Sequence, residues 1–194
     1  ILTVAQGAAF AAELNQLASQ LCLQALHMHP IKFDLGEWHG RQVAAFLADL
    51  RTVALDLADV TPARQGRGMR VSAVTGNGAA LAFTHSADRL TMTLARPSTE
   101  GEIVEFTVRY GGIAADGLRI TQTKNGDRTF FSDDWPDKAR QWLPTIDHIA
   151  DKATMEMDVV APAHYQVISN GLRVETTDLP GGTRRTVYRE SVPI

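Results

Sequence analysis

Apolar positions along this chain follow two rhythms. Near the front, Phe10, Leu14, Leu17 and Leu21 recur at i, i+4, i+7 and i+11, the spacing of an amphipathic helix. After Pro30 the period becomes two. Ile31, Phe33 and Leu35 alternate with Lys32 and Asp34, and Val53, Leu55 and Leu57 alternate with Thr52, Ala54 and Asp56. Leu81 and Phe83, then Leu90, Met92 and Leu94, then Val104, Phe106, Val108 and Tyr110 continue it. Met155, Met157 and Val159, followed by Leu172 and Val174, close the series. Such alternation predicts strands with one buried and one wetted face. The glycine dipeptides Asn77-Gly78, Gly111-Gly112, Asn125-Gly126, Asn170-Gly171 and Gly181-Gly182 predict turns between them.

The pattern thus predicts an all-β, antiparallel sandwich. One short helix is expected near 136–142, with Asp133 or Asp134 as its cap, Pro136 in its first turn and Pro144 ending it. Residues 1–26 form an N-terminal extension and residues 27–194 the β domain. Residues 1–12 also fit the tail of a signal peptide, with Ala9-Phe10-Ala11 as a small-residue cleavage site, yet no Lys or Arg precedes Lys32. Both readings of the extension stay open. Under the second the protein is exported or periplasmic; otherwise it is cytoplasmic.

Composition narrows the classes. The 194 residues are 44% hydrophobic and 21% charged, enough to bury a core without staples. No apolar run approaches the about 18 residues of a membrane-spanning helix. A net charge of −3 with both signs interspersed argues against nucleic-acid binding. Cys22 is the single cysteine, so an intramolecular disulfide and a Cys-rich zinc site are both excluded.

Candidate chemistry is sparse. There is no HExxH, and His27-Met28-His29 is the only close histidine pair, with His39 or Asp34 as a conceivable third ligand. Surface histidines flanking a strand are the simpler reading, and no metal site is assigned. Ser132, Ser169 and Ser191 lack the nucleophile elbow, and Arg64-Gln65-Gly66-Arg67-Gly68 reads as a solvated loop rather than a phosphate cradle.

The stretch from Ser132 carries more. Ser132-Asp-Asp-Trp-Pro-Asp-Lys-Ala-Arg140, Trp142-Leu143-Pro144, Asp147-His148, Asp151-Lys152-Ala153-Thr154 and Ile168-Ser169-Asn170-Gly171 occur in order. This series resembles the N-terminal domain of the gluzincin zinc aminopeptidases, the family of aminopeptidase N and leukotriene hydrolase, in its bacterial form. Ile149 stands where the family has Pro, and Asp134 where it has Asn.

The resemblance implies a saddle-like β-sandwich that packs on a thermolysin-like catalytic domain of the same polypeptide. The zinc ion and its HExxH site belong to that domain, so this chain holds no cofactor and is expected to be inactive alone. In several relatives the matching stretch contacts the free amino group of the peptide substrate. The equivalents here are Asp133, Asp134 and Trp135, as a wall of the substrate cleft. Arg140, Pro144, Asp147, Lys152 and Asn170 take structural roles, with Lys152 or Arg140 pairing to Asp147. The alternative is a stand-alone β-sandwich binding or adaptor module without peptidase activity.

Overall fold

The computed structural model describes residues 50–99, 102–148 and 152–194, together with the backbone of two strands, β1 (His27–Phe33) and β2 (Trp38–Ala45). The helix expected within 1–26, Cys22, Asp34 and Ile149 lie outside the described residues, as do the side chains of His27, His29 and His39.

The chain continues through β3 (Thr52–Asp56), β4 (Gly68–Gly76), β5 (Ala79–Ala80), β6 (Phe83–Ser86), β7 (Arg89–Thr93) and β8 (Ile103–Ile113). It then forms β9 (Leu118–Gln122), β10 (Arg128–Ser132), β11 (Thr154–Pro162), β12 (Leu172–Leu179) and β13 (Thr183–Glu190). An eight-stranded sheet has the order β12-β13-β11-β1-β2-β8-β4-β5, and a three-stranded sheet the order β3-β7-β6. Pairing is antiparallel except between β1 and β11. Among the described residues no helix is long and apolar enough to cross a membrane.

The alternating residues explain the layering. Val53 and Leu55 of β3, with Leu90 and Met92 of β7, form one cluster with Phe106, Val108 and Tyr110 of β8 and Met69 and Val74 of β4. The two sheets therefore close on a shared apolar interior, and burying each large side chain there stabilises the fold by about 1.5–3 kcal/mol. This is the all-β sandwich that the pattern predicts.

Four expectations change in detail. Gly111-Gly112 is not a turn; both residues lie inside β8. Gly112 pairs with Met69, and a Cβ on it would stand 2.1 Å from the Gly68 carbonyl oxygen, so glycine serves a close approach of two strands. The helix expected over 136–142 is a turn at 135–138 followed by a 3-10 turn at Ala139–Gln141. No side chain caps that turn, because the Asp134 carboxylate is committed elsewhere. Leu172 and Val174 are exposed rather than buried, since β12 is the sheet's edge strand and a register shift falls between Arg173 and Glu175. Finally, β1 begins before Pro30.

Asn170-Gly171 does turn the chain. Gly171 has φ of +82° and a Cβ there would stand 2.2 Å from the Arg189 carbonyl oxygen. Gly171→Ala should therefore destabilise the domain by about 2–3 kcal/mol, read as a lowered urea midpoint. Gly66→Ala is the control for positive φ alone, because nothing lies within 4 Å of its Cβ position.

Candidate functional site

The region singled out by the sequence, Asp133 to Asp147, follows directly on the β9–β10 ribbon. That ribbon turns at Asn125-Gly126, where Gly126 has φ of +89° and the Thr123 hydroxyl accepts from the Asn125 and Asp127 amides at 3.2 Å each. A two-stranded ribbon exposed on both faces is weak by itself. It leans on the rest of the domain through Phe130, whose ring meets Tyr165 edge-on at 5.7 Å while the Arg128 guanidinium lies 5.0 Å above it. Ile120 pairs with Phe130 and Arg119 with Phe131, which places exposed Ile120 and exposed Phe131 on opposite faces.

At the ribbon's end the three candidate residues face three ways. The Asp133 amide donates to the Gly117 carbonyl at 2.7 Å, and its carboxylate accepts from Arg119 Nη2 at 3.2 Å. Asp134 points inward, where its Oδ1 accepts the Trp142 Nε1–H at 2.8 Å. Trp135 points outward and is 76% exposed. Burial pushes the Asp134 carboxyl above its ordinary range; the Trp142 bond opposes this, while the negative charges of Asp147 and Asp133 add to it.

Behind this tip the segment is bolted to the sandwich. Arg140 donates from Nε and from its backbone amide to Asp147 Oδ2, at 2.9 and 3.1 Å, and from Nη2 to the Asp147 carbonyl at 2.9 Å. The Asp147 amide donates in turn to Asp56 Oδ2 at 3.2 Å, and the Ala58 amide to the Arg140 carbonyl at 2.8 Å. Trp142, Leu143 and Pro144 are buried between these polar links. Arg140 is thus the cation on Asp147, and Lys152 lies exposed just before β11. At the other flank Lys138 Nζ lies 3.2 Å from Asp116, and Gly117 passes so close that a Cβ would stand 2.5 Å from the Lys138 carbonyl oxygen.

The corner thus presents one exposed indole on a backbone held from behind by the Asp134–Trp142 and Arg140–Asp147 hydrogen bonds. Among the described residues no group of three or more His, Cys, Asp and Glu side chains is placed to hold a metal. His85 is engaged by its Nε2 with the Leu57 carbonyl at 2.9 Å, and His164 packs on Tyr165 at 4.2 Å. Sequence reasoning missed the ribbon residues Arg119, Ile120, Phe130 and Phe131. The run Arg-Thr-Phe-Phe-Ser after Asn125-Gly126 was the available signal for a hairpin arm.

The raised Asp134 carboxyl has a stability consequence. Its folded-state pKa lies above the unfolded value, so its contribution to stability is full below the unfolded pKa and is lost as pH rises through the folded one. Asp134→Asn keeps the acceptor for Trp142 and removes that loss. It should raise Tm at pH 7 and leave it unchanged near pH 3, as followed by thermal melts.

Comparison with known proteins agrees with this architecture. Residues 45–194 match the Peptidase M1 N-terminal domain. The M1 zinc metallopeptidase of Deinococcus radiodurans superposes with a TM-score of 0.66 at 26% identity, covering 88% of this chain and 38% of that one. A mutant of that enzyme bound to a Tyr-Ser-Ala substrate gives a TM-score of 0.68 at 23% identity, covering 88% and 39%. Legionella pneumophila aminopeptidase A in complex with aspartic acid gives a TM-score of 0.69 at 17% identity, covering 87% of this chain and 20% of that one, a likeness of fold alone. The chain thus spans 38% of the length of the Deinococcus enzyme. No curated protein sequence matches it.

Proposed function

The chain belongs to the family of peptidase M1 N-terminal domains, and from that premise we propose that it is the non-catalytic wall of a zinc aminopeptidase's substrate cleft. It packs on a zinc catalytic domain of the same polypeptide, and the Asp133–Trp135 corner faces the amino-terminal end of the peptide substrate. One observation carries this reading: a 76% exposed tryptophan stands at the tip of a segment otherwise tied down by charge-assisted hydrogen bonds. A large aromatic displayed on a rigid backbone suits a binding anchor, because the backbone needs no ordering on contact.

Among the described residues no side-chain group is placed to hold a zinc ion, and in this reading the zinc belongs to the catalytic domain of the same polypeptide. Residues 133–135 orient the substrate and exclude water from one side of it. The reading frame beyond Ile194 tests the assignment. An HExxH motif within the next few hundred residues supports it, and a stop codon with no such frame downstream favours the stand-alone binding module.

A second expected result follows. The 194-residue chain, dialysed and analysed for metal, should retain no stoichiometric zinc and should not hydrolyse aminoacyl anilides. About one tightly held zinc per chain would contradict the assignment.

A further inference from the structure

Trp135 is displayed, but what aims it is the residue before it. Asp134 carries two independent tethers. Its backbone carbonyl accepts the Lys138 amide at 2.9 Å, closing the turn around Trp135, Pro136 and Asp137. Its side chain accepts the Trp142 indole N–H at 2.8 Å, and Trp142 is 4% exposed within the apolar core. The peptide unit that leads into Trp135 is therefore fixed to the interior from behind. The indole N–H can only donate, so Asp134 Oδ1 is the acceptor in this bond.

We infer that Asp134 is a positioning residue: by holding the Trp142 Nε1–H it fixes the direction in which Trp135 projects toward the substrate. This rests on the cleft reading above. It also divides the three acidic-aromatic positions by role. Trp135 is the contacting group, Asp134 aims it, and Asp133 is occupied by Arg119 at the base of the ribbon. Losing the tether leaves Trp135 in place chemically but free to sample directions, which weakens binding more than turnover.

The test uses the complete peptidase polypeptide and an aminoacyl anilide, with Asp134→Ala, Trp142→Phe, the double variant, Asp134→Asn and Trp135→Ala. Asp134→Ala and Trp142→Phe should each raise KM about tenfold with kcat within about twofold, and the double variant should be no worse than either. Asp134→Asn, which keeps an acceptor oxygen, should return KM to within about twofold of the starting protein. A readout independent of turnover comes from the 194-residue chain by NMR. The Trp142 indole N–H resonance, assigned by its loss in Trp142→Phe, should move with acid titration in the starting chain and stay fixed in Asp134→Asn. Asp133 with Arg119 and Asp147 with Arg140 are the charged neighbours present in both chains.

Lowered kcat with unchanged KM in Asp134→Ala, or in Trp142→Phe should the former not fold, would overturn the inference. So would a KM defect that Asp134→Asn fails to restore. If Trp135→Ala raises KM while the Asp134 and Trp142 variants do not, only the positioning role falls. If Trp135→Ala leaves KM unchanged, the cleft reading itself falls.

Discussion

Arg185→Ala is expected to destabilise the domain by about 3 kcal/mol, because it leaves a buried carboxylate without its partner. Asp158 has 0% exposure, and Arg185 reaches it with Nε at 2.9 and 3.1 Å and Nη2 at 3.0 Å. The same guanidinium donates from Nη1 to Glu175 at 2.8 Å, so one side chain ties β11, β13 and the edge strand β12. Arg185 is itself 33% exposed, which keeps the expected loss toward the lower end of the range for buried pairs. Removing both charges should cost less than removing the arginine alone, since the penalty lies in the unpaired carboxylate. Urea unfolding of Arg185→Ala, Asp158→Ala and the double variant measures this coupling. Equal losses in Arg185→Ala and in Arg184→Ala, whose partner Asp178 is solvent-exposed, would contradict the account.

Trp135→Ala should have the largest effect on association. On the proposed packing against the catalytic domain, truncating this exposed aromatic removes about 2–4 kcal/mol, or roughly 30- to 1,000-fold in affinity. Phe131, 63% exposed four residues earlier in β10, should contribute less, because it lies on a two-stranded ribbon exposed on both faces. Asp178→Ala, at an exposed charge on the edge strand, should change affinity less than about twofold. Thermal melts of the same variants separate association from folding. Trp135→Ala removes an already solvated side chain, so its Tm should stay within about 2 °C of the starting chain.

The sequence disclosed those elements in which one face is buried and the other wet. Val53–Leu57, Leu90–Leu94 and Val104–Tyr110 alternate because two sheets close on their inner faces, and each run lies in or overlaps a strand. β13 was silent for the opposite reason. Its non-core face carries Arg185 and Arg189, paired to Asp158 and Glu156 of β11, so charge replaces apolar character at period two. β9 and β10 are exposed on both faces and leave no period to read. β12 misled in the other direction, because Leu172 and Val174 alternate without being covered.

At the corner, local rules reached the right segment and the wrong bond. Capping preference assigns Asp133 or Asp134 to the amides of a following helix. Instead Asp134 bonds an indole eight residues on, which becomes adjacent only once Trp142 is drawn into the core. Arg140 and Asp147 were readable as a pair, whereas their extension to Asp56, 91 residues away, depends on β3 lying beneath the corner. Long-range polar links of this kind have no signature in a single sequence.

The claim that this domain exists to pack on a zinc peptidase domain is tested most directly by calorimetric titration of the purified 194-residue chain with that domain, both verified as folded. A 1:1 complex is expected at tens of micromolar or tighter, burying more than about 1,000 Å² and weakened at least about 30-fold by Trp135→Ala. No heat and no complex at those concentrations would contradict it.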